Sequence, residues 1–147
     1  MNNSELIITL TLIKGLGRKT INKIIRQGVL NSLETSEMID YLKNINLKIK
    51  GIITKDELKY ANEIAKRAIH ICDIENIKIS TLLDKDFPQK LKNIDDNPVA
   101  IYYKGNYDCL NDKSIAIIGS RNPSLHGVNV SYKISSILSQ KGYTIVS

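Results

Sequence analysis

Apolar positions change rhythm near the middle of the chain. Up to about residue 75 they recur at helical spacing. Leu6, Ile7, Leu10 and Ile13 predict a first helix that ends near Gly15. A second is expected from Arg18 to Gln27, with Ile21, Ile24 and Ile25 inward and Gly28 as its stop. A third spans Ser32 to Lys43 on Met38, Ile39 and Leu42, and Asn44 to Ile53 is too irregular to assign. Thr54-Lys55-Asp56-Glu57 reads as a capping box that opens a fourth helix, whose Leu58, Ala61, Ala65, Ala68 and Cys72 keep to one face.

From Ile77 the period falls to two: Ile77, Ile79 and Thr81 alternate with Lys78 and Ser80, the mark of a strand. Asp86-Phe87-Pro88 opens a short helix carrying Leu91 and Ile94, with proline in the first turn, where its missing N–H costs nothing. Asp95-Asp96-Asn97-Pro98 is a turn, and Val99 to Tyr103 a second strand stopped by Lys104-Gly105-Asn106. Ile115, Ala116, Ile117 and Ile118 form a short apolar run cut off by Gly119, which predicts a parallel strand buried on both faces. A helix on Val128, Tyr132, Ile134, Ile137 and Leu138 follows, closed by Gly142, and Tyr143 to Val146 is a fourth strand. The expected organisation is a helical domain at residues 1–75 and an α/β domain at 76–147.

With 42% hydrophobic and 24% charged residues, the chain has the make-up of a soluble globular protein. Its formal charge of +6 favours an anionic partner. Cys72 and Cys109 form neither a disulfide framework nor a metal spacing, so a reducing cytoplasm is the expected compartment. The apolar run from Leu6 to Ile13 lacks a basic leader and is broken by Lys14, so no signal peptide and no membrane association are expected.

Two turns carry candidate chemistry. After Ile118, the turn Gly119-Ser120-Arg121-Asn122-Pro123 leads from a strand into a helix, where backbone N–H groups suit a phosphate and Arg121 adds a guanidinium fork. It is not a dinucleotide fingerprint, because the next glycine is Gly127 and no carboxylate ends the following strand; no cofactor is expected. The other turn is Gly15-Leu16-Gly17. A P-loop is excluded because Arg18 stands where a glycine is needed and a helix precedes instead of a strand. The pattern resembles a helix-hairpin-helix element, in which Gly15 and Gly17 bring N–H groups to a phosphate backbone. Lys14, Arg18, Lys19 and Lys23, with Arg26, screen its charge, and no acidic residue lies between Glu5 and Glu34. The same glycines also suit a plain tight turn beside a solvated basic face. His70 and His126 have no partner at catalytic spacing, and neither a triad nor a metal constellation is present, so no enzyme is expected.

The second half resembles the DNA-processing protein A family, also called Smf. The resemblance rests on F-P-x-x-L-x-x-I from Phe87 to Ile94, P-V-A-I-Y-Y-K-G-N from Pro98 to Asn106, I-A-I-I-G-S-R-N-P-S-x-H-G from Ile115 to Gly127, and S-Q-K-G-Y-T-I-V-S from Ser139. It implies a small N-terminal helical bundle, like a sterile-alpha-motif or helix-hairpin-helix domain, followed by the first part of an extended Rossmann-like parallel sheet. It also implies sequence-independent binding of single-stranded DNA in natural transformation, loading of the RecA recombinase and a homodimer in the full-length protein. Gly119, Ser120 and Arg121 match the family's phosphate-holding turn. His126 stands where the family has tyrosine, and Asn97 replaces the first of two prolines. The chain ends at Ser147 where the family continues into a second glycine-rich segment, so an N-terminal part is expected. A Rossmann-like enzyme for a phosphorylated nucleotide or nucleoside is the alternative, and a protein-docking role for the helical half is a third.

Overall fold

The computed structural model describes residues 2–28, 35–44 and 53–147. Internal contacts divide the chain into two compact units, Met1–Gly105 and Asn106–Ser147. The change of rhythm near residue 76 therefore falls inside the first unit, as a change from helix to strand.

In unit 1, α1 (Asn3–Leu12) is capped by Asn2, whose Oδ1 accepts from the Glu5 N–H at 2.8 Å. Five successive residues, Leu6 to Leu10, are buried in it. The spacing predicts a single apolar stripe, but Leu6 to Leu10 are enclosed because a later helix (Lys55–Ile74) and two strands (Lys78–Thr81 and Ala100–Tyr103) all pack on α1. Gly15, with φ 85°, takes the left-handed conformation that a side chain resists, and the chain turns there into α2 (Arg18–Arg26). α3 (Thr35–Asn44) begins inside the expected span; residues 32–34, like most of the unassigned stretch after it, lie outside the described residues. α4 (Lys55–Ile74) opens on the expected capping box: Thr54 Oγ1 accepts from the Glu57 N–H at 3.1 Å, and Glu57 Oε2 accepts from the Thr54 N–H at 3.1 Å. Leu58, Ala61, Ala65 and Cys72 are its buried face.

β1 (Lys78–Thr81) and β2 (Ala100–Tyr103) pair antiparallel, Lys78 opposite Tyr103 and Thr81 opposite Ala100. Between them lie buried Phe87 and Pro88 and the short α5 (Gln89–Lys92). Unit 2 holds β3 (Ser114–Ala116), α6 (Leu125–Gln140) and β4 (Thr144–Val146), with β3 and β4 parallel. α6 ends in a Schellman turn: Tyr143 N–H donates to Leu138 O at 3.1 Å and Gly142 N–H to Ser139 O at 2.9 Å, with Gly142 left-handed at φ 81°.

Two expectations need correction. The strands do not form one parallel sheet; they form two separate pairs, the first antiparallel. Alternation and β-branched content mark a strand without fixing its partner or direction. The run Ile115 to Ile118 is also not buried on both faces: Ile115 is half-buried, Ala116 exposed and Ile118 87% exposed. In unit 2 one helix lies against two short strands, an arrangement that leaves a sheet face and much of the helix open to solvent.

Candidate nucleic-acid interface

The carboxyl ends of β3 and β4 point the same way, because the two strands are parallel and joined through α6. Ile117 extends the pairing by donating its N–H to Val146 O at 2.8 Å, and the chain then leaves the sheet through Gly119. Ser120 folds the loop on itself: its Oγ accepts from Asn122 N–H at 3.2 Å. α6 starts only at Leu125, capped by Ser124, whose Oγ accepts from Gly127 N–H at 3.1 Å. The helix N-terminus thus lies beyond the glycine turn. Its uncapped N–H groups are those of Leu125 and His126, while Gly119 and Ser120 approach from the strand side.

Gly119 has an ordinary φ, and a Cβ built on it would meet nothing within 4 Å. Neither strain nor crowding inside the protein calls for a glycine there, so what it leaves open is the outer approach to the backbone. Gly119 and Ser120 line an open cavity with Ser124, Gly127 and Tyr132. Arg121 is exposed outside that lining, and none of the ion pairs among the described residues involves it. From residue 113 to 147 the chain carries Lys113, Arg121, Lys133 and Lys141 and no carboxylate. Within that stretch Arg121 is the charged side chain of the turn itself, and no charged side chain lines the cavity.

The second candidate group lies in unit 1. Lys14, Lys19 and Lys23 are exposed around the Gly15 hairpin, but Arg18 is committed elsewhere. Its Nε donates to Asp96 Oδ1 at 3.0 Å and its Nη2 to Asp96 Oδ2, a bidentate pair that raises the arginine pKa and lowers that of the carboxyl. Next to it the buried Asn22 donates from Nδ2 to Asn97 O at 2.9 Å. Arg18 thereby ties α2 to the turn before β2, a role invisible at a separation of 78 residues. Gly17 caps α2 with no side-chain acceptor. His70 and His126 are exposed, and among the described residues no group of three His, Cys, Asp or Glu side chains stands together as metal ligands. Ser124, Ser131 and Ser135, which join Tyr132 along the cavity, escape a reading by hydrophobicity; their helical spacing is the signal that marks them.

The family model described as DNA recombination-mediator protein A matches residues 78–147. Residues 78–147 belong to the DNA recombination-mediator protein A family. Among curated proteins, Protein Smf of Borreliella burgdorferi is 41% identical over 70 residues, 48% of this chain and 22% of its own. The DNA processing protein DprA of Bacillus subtilis is 30% identical over 105 residues, covering 65% of this chain and 35% of that one. The crystal structure of DNA processing protein A from Streptococcus pneumoniae matches with a TM-score of 0.61 at 25% identity, over 88% of this chain and 43% of that chain. The chain therefore spans between about a fifth and under a half of the lengths of these relatives. The mediator-family region opens at β1, inside unit 1, and contains both the strand pair and the whole candidate turn. No helix among the described residues is long and apolar enough to cross a membrane.

Proposed function

We propose that the chain binds single-stranded DNA as part of a recombination mediator, gripping backbone phosphate at Gly119, Ser120 and Arg121 without reading bases. The observation that carries this is the turn itself: a glycine at 119 with open space where a side chain would stand, an exposed arginine at 121 outside every ion pair among the described residues, and 35 residues without a carboxylate, counted from 113 to 147. Membership of the mediator family supports a place in DNA processing for transformation or recombination. On this reading the strand is protected in the cytoplasm and handed to a RecA recombinase. The protein acts as a homodimer when full length, and it performs no catalysis and needs no cofactor. Lys14, Lys19 and Lys23 beside Gly15 and Gly17 add an auxiliary contact, and Arg18 serves that surface less because Asp96 holds it.

Arg121→Ala is expected to cost roughly 1.5–3 kcal/mol of single-stranded DNA affinity, the value of one charge-assisted bond, with the circular dichroism spectrum unchanged. Fluorescence anisotropy at moderate salt measures it, and unaltered affinity would remove the phosphate site. Reversing Lys19 and Lys23 to Glu should lower the slope of log affinity against log salt by about one to two. An untouched slope would make the hairpin structural or protein-docking. A shallow slope in the parent chain would favour a single mononucleotide phosphate over a strand.

A further inference from the structure

We propose that Asp96 is the protein's own stand-in for phosphate at the Gly15 hairpin, filling the Arg18 fork until a nucleic-acid backbone takes its place. This rests on the auxiliary contact assigned above to Lys14, Lys19 and Lys23, and makes Arg18 its switchable member. Between Glu5 and Glu34 the chain holds Lys14, Arg18, Lys19, Lys23 and Arg26 and no acidic residue. The fold brings a carboxylate to them from 78 positions away. Arg18 Nε donates to Asp96 Oδ1 at 3.0 Å, and its Nη2 to Asp96 Oδ2. A guanidinium takes a phosphate through the same two parallel bonds, so carboxylate and phosphate compete for one fork. Asp96 also lies in the field of Lys19: its pKa is lowered first by the Arg18 hydrogen bond and further by the charges of Arg18 and Lys19. The anion held here thus answers two cations of the hairpin.

Two observations make the contact exchangeable. The Arg18 and Asp96 side chains are 51% and 43% exposed, so solvent screens the pair and a strand phosphate can reach the fork. Beside the pair, the joint between α2 and the turn before β2 is imperfectly made. Asn22 and Asn97 are buried and linked by the Asn22 Nδ2 bond to Asn97 O, yet Oδ1 of each accepts from no donor. A buried acceptor without a donor forfeits hydration, and loosening the turn lets water reach both oxygens. Release of Asp96 is therefore helped from within as well as by the incoming phosphate. Neighbouring Asp95 is exposed and joins no ion pair among the described residues, so it carries the same charge without filling the fork.

The test titrates the chain with a labelled oligothymidylate by fluorescence anisotropy over a range of salt. Asp96→Asn should tighten binding by roughly 2- to 5-fold and steepen the slope of log affinity against log salt by about 0.7, one further phosphate contact. Asp95→Asn, which removes the same charge one residue away, should tighten it less and leave the slope in place. In an Arg18→Gln background, Asp96→Asn should give no more than Asp95→Asn gives. An unchanged urea midpoint at neutral pH shows that folded proteins are being compared. No gain in Asp96→Asn, an equal gain in Asp95→Asn, or the same gain with and without Arg18 overturns the stand-in. The hairpin reading is judged separately by the Lys19 and Lys23 reversal. If that reversal lowers the slope while Asp96→Asn gains nothing, the hairpin contact stands and the stand-in falls; if neither alters binding, both fall.

Discussion

Unit 1 and unit 2 use similar side chains to opposite ends. In unit 1 the apolar residues close on one another, with Ile7, Leu10 and Ile24 wholly buried and Val99, just before β2, joining the same cluster. In unit 2 no residue is buried, and Leu125, Tyr132 and Ile137 on α6 are 79%, 76% and 55% exposed. Burial of each large aliphatic side chain contributes about 1.5–3 kcal/mol, so the first unit holds nearly all of the hydrophobic stabilisation visible here. The candidate phosphate turn lies in the other. The buried core and the candidate turn are separated along the chain, and a change at one should be readable without disturbing the other.

The largest expected effect sharpens that contrast directly. Leu10→Ala should lose about 2–5 kcal/mol in urea denaturation followed by circular dichroism, since it empties a fully buried position. Ile137→Ala should stay within about 0.5 kcal/mol. Equal losses would mean that α6 is covered in solution. Next come the two helix caps. Thr54→Ala should cost about 1 kcal/mol and shift the urea midpoint, because α4 belongs to the core. Ser124→Ala should speed hydrogen exchange in the first turn of α6 and leave that midpoint in place.

The smallest effect concerns acid. Arg18 holds the Asp96 carboxyl below the ordinary aspartate value of 3.8, so the pair's stabilisation is complete above that value and is lost as pH falls through the lower folded value. Asp96→Asn should flatten stability in that acid window and change little at neutral pH, because both side chains are about half exposed. Urea midpoints on either side of the window measure it; an unchanged acid slope would show that the pair does not tie α2 to the turn.

How much of this was legible depended on sequence distance. The capping box at Thr54 was readable because its partners are three residues apart, and the Gly142 stop because a Schellman turn is equally local. The helical rhythms of α2 and α4 survived intact, since a 3.6-residue period is written into each segment. What escaped was pairing: that β1 meets β2 antiparallel, and that Arg18 answers Asp96. Both need the folded chain to bring distant residues together. At the site, Gly119, Ser120 and Arg121 were marked by an apolar strand that stops at a glycine turn, and the helix was expected beyond Pro123, where it stands, but its cap was not read. Ser124, five residues beyond Gly119, supplies the cap, and Pro123 before it favours an extended loop over an early helix.

The strand pair has one more consequence. The family model begins at Lys78, but β1 and β2 are folded into the helical unit through Val99, through the Arg18–Asp96 pair and through the bond from Asn22 to Asn97. The segment that the family model matches is therefore not the segment that folds as one unit. A gene fusion joined at residue 76 would separate α1 and α2 from the wall they close against, and would expose Val99 and the amide of Asn97 together. Any lineage that exchanged its N-terminal helices had to bring in replacements shaped to the same turn, so variation in α2 should be matched by variation at positions 96, 97 and 99.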